Sequence, residues 1–237
     1  FELEDANLFG RGKALQLARS STVDRDEWIL NWTDPNVWGS RWELDLGFAD
    51  SDDGNREELQ VLQPFYALDT RRSFGASLLH WDRIEARYAL GEVADRFGQD
   101  QQRADIFAGW SSGLRGMWTR RWLAGYRYER NRFSTPSVAL ASATPPPDRE
   151  VSYPWVGIEL LQDDFREMSN LNQIGRTEDL AFGFRAHLTA GWSGESLGAT
   201  RDSIVLSATL SDGFEVRPEQ FLFMSLQATS RVEDGSS

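Results

Sequence analysis

Cysteine is absent from the 237 residues, so neither a disulfide nor a thiolate metal site contributes, and the redox compartment is unconstrained. Histidine is nearly absent, with 2 residues, which thins the field for general base chemistry near neutral pH. Basic residues are in the minority: 25 Lys and Arg against 37 Asp and Glu leave a net charge of −12. That balance excludes nucleic acid as an expected partner, because such affinity rests on cations neutralising phosphates. Long apolar runs are missing as well, and nothing approaches the roughly 18 consecutive apolar residues of a membrane-crossing helix. Strands escape that exclusion, since about 9–11 residues with one apolar face suffice.

What the chain has in quantity is aromatic residues, 10 Trp, 5 Tyr and 14 Phe, within a sequence that is 26% charged. Its mean hydropathy is only −0.50. Apolar bulk and charge are mixed at fine grain with a period of two, the period of a strand with unlike faces. In the run from Arg41 to Phe48, Trp42, Leu44, Leu46 and Phe48 share one face, while Arg41, Glu43, Asp45 and Gly47 share the other. A similar run from Leu180 to Trp192 puts Phe182, Phe184, Leu188 and Trp192 on one side and Gly183, Arg185 and His187 on the other. Alternation also predicts strands over 13–20, 28–33, 57–66, 72–89, 103–111, 122–129, 151–161, 202–211 and 219–230, with a partial one over 1–7.

The connections between these runs alternate in length. Short turns are expected at 8–12, 34–39, 68–70, 113–116 and 212–213, and long polar loops at 21–26, 50–56, 91–102, 131–150 and 193–201. The connection from Asp163 to Thr177 breaks the rule, and Phe165 to Leu171 reads as a brief helical turn. The Pro-rich stretch Thr144 to Asp148 falls in the loop at about 131–150, with like strands on both sides, so residues 1–237 form one domain.

A soluble sandwich and a membrane barrel share this alternation. Three features favour the barrel. The polar faces mix charges of both signs (Arg41, Glu43, Asp45, Arg127, Glu129, Glu159, Arg185) with glycine, as suits a hydrated lumen in a bending wall. Trp and Tyr stand near strand ends, for example Trp28, Trp42, Trp81, Trp110, Trp155 and Trp192, where interfacial girdles belong. Spacing of roughly 21 residues per strand exceeds the about 8–12 of a sandwich. The expected fold is therefore all-β: an antiparallel up-and-down transmembrane β-barrel, incomplete, with about 11–12 strands of a larger one. No basic, apolar leader opens the chain at Phe1 and its last residues read as loop, both expected of a fragment.

The segment Asp5 to Lys13, with Asn7, Gly10 and Gly12, resembles an early barrel turn of the BamA/TamA (bacterial surface antigen) family. Thr33 to Arg41, with Asp34, Pro35 and Gly39, looks like that family's next periplasmic turn, and Gln63 to Arg71, with Pro64 and Asp69, like the one after. The family's Arg-Gly-aromatic loop motif is matched only in part by Leu114 to Met117, which ends without the aromatic. The resemblance implies a bacterial outer-membrane protein that inserts or translocates polypeptides. Its implied partners are outer-membrane lipid, unfolded outer-membrane or secreted polypeptides, and periplasmic domains.

Catalytic chemistry finds little support. His187 lies on a polar strand face, and His80 beside Trp81 and Asp82 has no serine in a nucleophile motif near it. Asp50 to Gly54 has the letters of a calcium loop, but its fifth position is Gly54 and its twelfth Val61, so it reads as a solvated loop. Asp163, Asp164 and Glu167 read as turn chemistry, and Gly10 to Lys13 as a turn lacking the glycines of a phosphate loop. No enzyme, metal or cofactor is expected. The alternatives to an assembly barrel are a passive porin-like barrel or membrane anchor of a fused passenger enzyme, and a soluble secreted β-rich ligand-binding domain. Reversing Arg185 is expected to alter barrel stability or conductance.

Overall fold

The computed structural model describes residues 1–21, 25–135, 144–169, 177–217 and 220–233. The strands are β1 (Glu2–Leu8), β2 (Lys13–Ser21), β3 (Asp26–Asp34), β4 (Glu43–Ser51), β5 (Gly54–Gln63), β6 (Arg72–Ala89), β7 (Glu92–Arg115), β8 (Trp118–Ser134), β9 (Arg149–Gln162), β10 (Phe165–Ser169), β11 (Thr177–Ala181), β12 (Arg185–Ser193), β13 (Ser203–Arg217) and β14 (Gln220–Glu233). Twelve of them form one antiparallel sheet in the order β1 to β9, β12, β13, β14, while β10 and β11 make a separate hairpin. Each strand of this sheet pairs with the next along the chain except at β9, which pairs with β12 past the β10–β11 hairpin, and the sheet is not closed: among the described residues β1 and β14 do not pair with each other. No described helix is long and apolar enough to cross a membrane.

Cross-strand register keeps the two faces separate over the whole sheet. Leu17, Leu30 and Phe48 lie side by side across β2 to β4, and Ala76, Ile106 and Tyr126 across β6 to β8. A further row, Ile158, Leu188, Ala208 and Ala228, runs across β9, β12, β13 and β14. A one-residue slip anywhere would move a strand's apolar set to the other face, so the alternation fixes the register.

Burial is inverted relative to a soluble core. Ile106, Val156 and Leu226 are 61%, 62% and 63% exposed, whereas Thr119 and Arg121 on the polar face are 0% and 8% exposed. Side chains crowd on the polar face and spread on the apolar one, as in a sheet curved with its polar side inward. Glycine sets the wall's closeness on that side. Gly75 lies opposite Phe107, and Gly125 opposite Trp155, so each aromatic ring lies across the neighbouring strand's glycine. Trp155, expected in an outer girdle, thus faces inward, as does Trp81.

The contrast of short and long connections does not hold, and the reasons are local. Residues 92–102, expected as part of a loop, pair with 80–89 and lengthen β7, leaving Leu90 and Gly91 as a two-residue turn. Their polar residues alternate as well, and two polar faces suit a hairpin standing clear of an apolar belt. Residues 50–56 likewise close on Asp52 and Asp53. Ser51 Oγ donates to Asp53 Oδ1 at 2.9 Å and to the Gly54 carbonyl at 2.7 Å, so the acidic run is a hairpin turn. Asp212 and Gly213, read as a turn, lie inside β13, whose hairpin with β14 extends to the pair Arg217 and Gln220. The expected helical turn at 165–171 is strand β10 over its described part, with Asn170 and Leu171 outside the described residues.

The run from Leu180 to Trp192 is broken at 182–184. Phe182 leaves the sheet and is the largest fully buried side chain among the described residues, packed against Phe221 and Phe223 at ring-centroid distances of 5.0 Å. Period-two alternation continues across the break by coincidence of spacing, and burial of one aromatic residue wins over continuity of the strand.

Candidate functional site

Ion pairs and side-chain amides tie neighbouring strands together on the inner face. Arg127 Nε donates to Asp105 Oδ2 at 2.7 Å across β8 and β7. Glu129 stands between Arg103 at 3.5 Å and Arg149 at 3.8 Å, and accepts a hydrogen bond from Asn131 Nδ2 at 2.9 Å. Arg83 Nη2 donates to Gln99 Oε1 at 3.0 Å, and Gln99 Nε2 to Asn131 Oδ1 at 2.9 Å, which completes a polar chain from β6 to β9. On the first strands Gln16 Nε2 donates to Glu2, Asn31 Nδ2 to Gln16, and Thr33 Oγ1 to Asp45 Oδ1 at 2.8 Å. Half-exposed pairs of this kind contribute about 0–1 kcal/mol each, so their value is orientation of the wall more than bulk stability.

Of the charges singled out from sequence, Asp45, Arg127, Glu129 and Glu159 lie on the inner face with the partners above or below. Glu43 opens β4, and Arg185 stands opposite Leu161 and Ser211 at the start of β12. Neither makes an ion pair among the described residues. Arg41, read as a strand residue, lies before β4 in the turn, where its guanidinium donates to the Tyr66 hydroxyl and sits 3.9 Å from the centre of that ring. His187 faces inward opposite Glu159, and His80 lies on the outer face with Glu57 at 3.9 Å and Asp100 at 3.7 Å.

The three turns that carry the family resemblance share one end of the sheet. In the first, Asn7 Oδ1 accepts from the Gly12 amide at 2.6 Å, and Gly10 and Gly12 both take φ of 68°, which a side chain would strain. In the second, Asp34 accepts from Lys13 Nζ at 2.7 Å and from the Asn36 amide at 3.1 Å, and Gly39 follows Trp38 at positive φ. Pro35 opens this turn. The third, from Pro64 to Arg71, folds inward over β7 and β8 instead of continuing the wall.

Arg121 holds that third turn. Its Nη1 donates to Glu159 Oε2 at 2.9 Å, its Nη2 donates to the Ala67 and Phe65 carbonyls at 3.2 and 3.4 Å, and its guanidinium lies 4.6 Å from the Phe65 ring centre. Thr119 Oγ1 donates to the Leu68 carbonyl at 3.3 Å, and Asp69 Oδ1 accepts from the Leu114 amide at 3.4 Å. The Phe65 ring lies over Gly109, where a Cβ would sit 2.8 Å from it. The arrangement is mechanical: a turn clamped against the inner face of β7 and β8 by a guanidinium shared between a carboxylate and two carbonyls. Sequence reading passed over Arg121 because the strand was begun at Trp122. Extending the alternation back by three residues puts Thr119 and Arg121 on the face of Gly125, Arg127 and Glu129.

The sequence matches no protein-family model and no curated protein. Among solved structures, the chain is similar to a crystal structure of BamA from Haemophilus ducreyi lacking POTRA domains 1–3, with a TM-score of 0.52 and 12% identity. The match covers 94% of this chain and 41% of that one, so the chain spans about two-fifths of the length of its structural relative. At this identity the likeness concerns the fold: an open twelve-stranded sheet corresponding to part of a BamA-like barrel.

Proposed function

We propose that the chain forms the wall of a bacterial outer-membrane β-barrel, with its apolar belt against lipid and its charged face lining the interior. The inverted burial carries this reading. Contiguous apolar surface on a soluble monomer rarely exceeds about 300–600 Å², yet here an apolar face runs across the sheet from β2 to β14. On β7 the set Ala104, Ile106, Ala108 and Trp110 covers about 20 Å of strand, on the scale of a barrel's lipid band.

Brominated lipid tests the two faces separately. In bilayers containing it, single-Trp variants keeping only Trp110 or Trp122 are expected to be strongly quenched, and those keeping only Trp81 or Trp155 weakly. Equal quenching at all four, or a chain that stays monomeric in water without detergent, overturns the reading in favour of a soluble β domain.

Within that class, we infer an assembly role: insertion or translocation of unfolded outer-membrane or secreted polypeptides, together with periplasmic domains. The three early turns, placed on the periplasmic side, and the likeness to BamA support it. Among the described residues the outer edges of β1 and β14 carry no partner strand, and a sheet edge is where backbone donors and acceptors meet an incoming strand. Proteoliposomes holding the protein are expected to speed the folding of an added urea-unfolded outer-membrane protein. A passive barrel leaves that rate unchanged.

A further inference from the structure

The outer face is not evenly bulky. Between the tryptophans of β7 and β8 and the edge at β14, a groove of about 720 Å³ runs over Trp110, Trp122, Ile158, Leu188, Ala190 and Ala208. Its floor is made by small residues flanked by large ones, so acyl chains next to it would meet a channel instead of a smooth wall. At the groove's tryptophan end, two arginines share the same outer face. Arg72 is the register partner of Trp110, which pairs with Trp122, and Arg120 lies one outward position beyond Trp122 on β8. Strand spacing puts their Cα atoms about 12 Å apart, close enough for both side chains to meet on one phosphate. Both are exposed, and neither has an ion-pair partner among the described residues. From β6 to β9 the outward positions at this end are Arg72, Ser112, Arg115, Trp118, Arg120, Leu160 and Gln162, Arg115 being the register partner of Trp118 beyond a bulge in β7, and none is a carboxylate. In a chain of net charge −12, a pair of unneutralised arginines beside an apolar groove is a local reversal of charge.

We propose that this face binds an anionic glycerophospholipid, its phosphate held by Arg72 and Arg120 between the indole rings of Trp110, Trp118 and Trp122, and an acyl chain lying in the groove. The chemistry is shared between two parts of one ligand. Guanidinium forks recognise the phosphate, tryptophan marks the headgroup level, and the alanine-floored channel takes hydrocarbon. A zwitterionic lipid would fill the groove equally well but gain less from the arginines. The proposal rests on the membrane-barrel reading above.

Native mass spectrometry of the full chain, taken from micelles with equal phosphatidylglycerol and phosphatidylcholine, tests it. The wild type is expected to retain phosphatidylglycerol in preference, and R72Q/R120Q to lose that preference roughly thirtyfold, at about 1 kcal/mol per membrane-surface cation. R72K/R120K should keep most of it. A208F, which fills the channel, should weaken retention of both lipids, whereas R19Q, removing an outward arginine stacked 5.3 Å from Trp28 at the other end, should change nothing. Heat-modifiable gel mobility reports that each variant is folded. Equal retention of the two lipids, retention unchanged in R72Q/R120Q, or a lipid-free dimer overturns the proposal while leaving the membrane barrel intact. A chain that fails to enter micelles at all sinks the barrel reading as well.

Discussion

Replacing Arg121 by alanine is expected to release the 64–71 turn from the inner wall and to cost about 3 kcal/mol of stability. The guanidinium is only 10% exposed and its Glu159 partner 26%, so the pair is well shielded from water. Truncation would strand the carboxylate and two backbone carbonyls together, which is why the loss exceeds that of a surface ion pair. Limited chymotrypsin digestion reads the effect directly, since the half-buried Phe65 and Leu68 become accessible once the clamp is gone. Arg121→Lys separates charge from geometry: lysine can reach Glu159 but cannot span the Ala67 and Phe65 carbonyls as well, so it should protect the turn only in part. Wild-type resistance to chymotrypsin in Arg121→Ala would mean that Thr119 and Asp69 hold the turn unaided.

A comparable loss is expected where glycine lets an aromatic ring lie flat on the wall. A Cβ added at Gly125 would meet the Ile106 carbonyl oxygen at 2.5 Å and the Trp155 ring at 2.6 Å. The three atoms nearest to one added at Gly75 all belong to the Phe107 ring, the closest at 2.3 Å. Gly125→Ala and Gly75→Ala should each destabilise the folded form by about 1–3 kcal/mol through overpacking, seen as a lower temperature for loss of the compact band on gels. They differ in their cure. Phe107→Leu should rescue Gly75→Ala because the nearest obstacle is a side chain, whereas Trp155→Leu should fail to rescue Gly125→Ala because a backbone carbonyl remains in the way. Rescue of both, or of neither, would show that the ring-on-glycine contacts do not set the spacing of these strands.

Most strands were legible from alternation, and β6 falls on the expected 72–89. A period of two survives in sequence because the two faces meet different solvents, and every strand of the sheet carries the same instruction. The connections were less legible. Polarity at 50–56 and 91–102 was read as loop, yet polar residues pair as well as apolar ones once the partner strand is held alongside. Asp212 and Gly213 spell a turn, but β14 continues the ladder past them. Phe182 fits the alternation of its segment perfectly and still belongs to another packing unit, because its burial against Phe221 and Phe223 involves residues about 40 positions away.

The inner-face charges followed the same division. Sequence placed Asp45, Arg127, Glu129 and Glu159 on the polar side, since side-chain direction is a local property of a strand. Which of them pair, and with what, depends on register and on residues of other strands: Asp105 for Arg127, Arg121 for Glu159.

The two-residue period by itself determined an all-β chain with one apolar and one charged face, because it is written in neighbouring residues. Only the tertiary structure decided that the apolar face is the exposed one, that the 64–71 turn folds inward under Arg121, and that Arg72 and Arg120 share a face with the groove beside Trp110 and Trp122. Alternation is identical for a sandwich and a barrel. The difference lies in which way the sheet curves and what meets across strands, and both are fixed by long-range register.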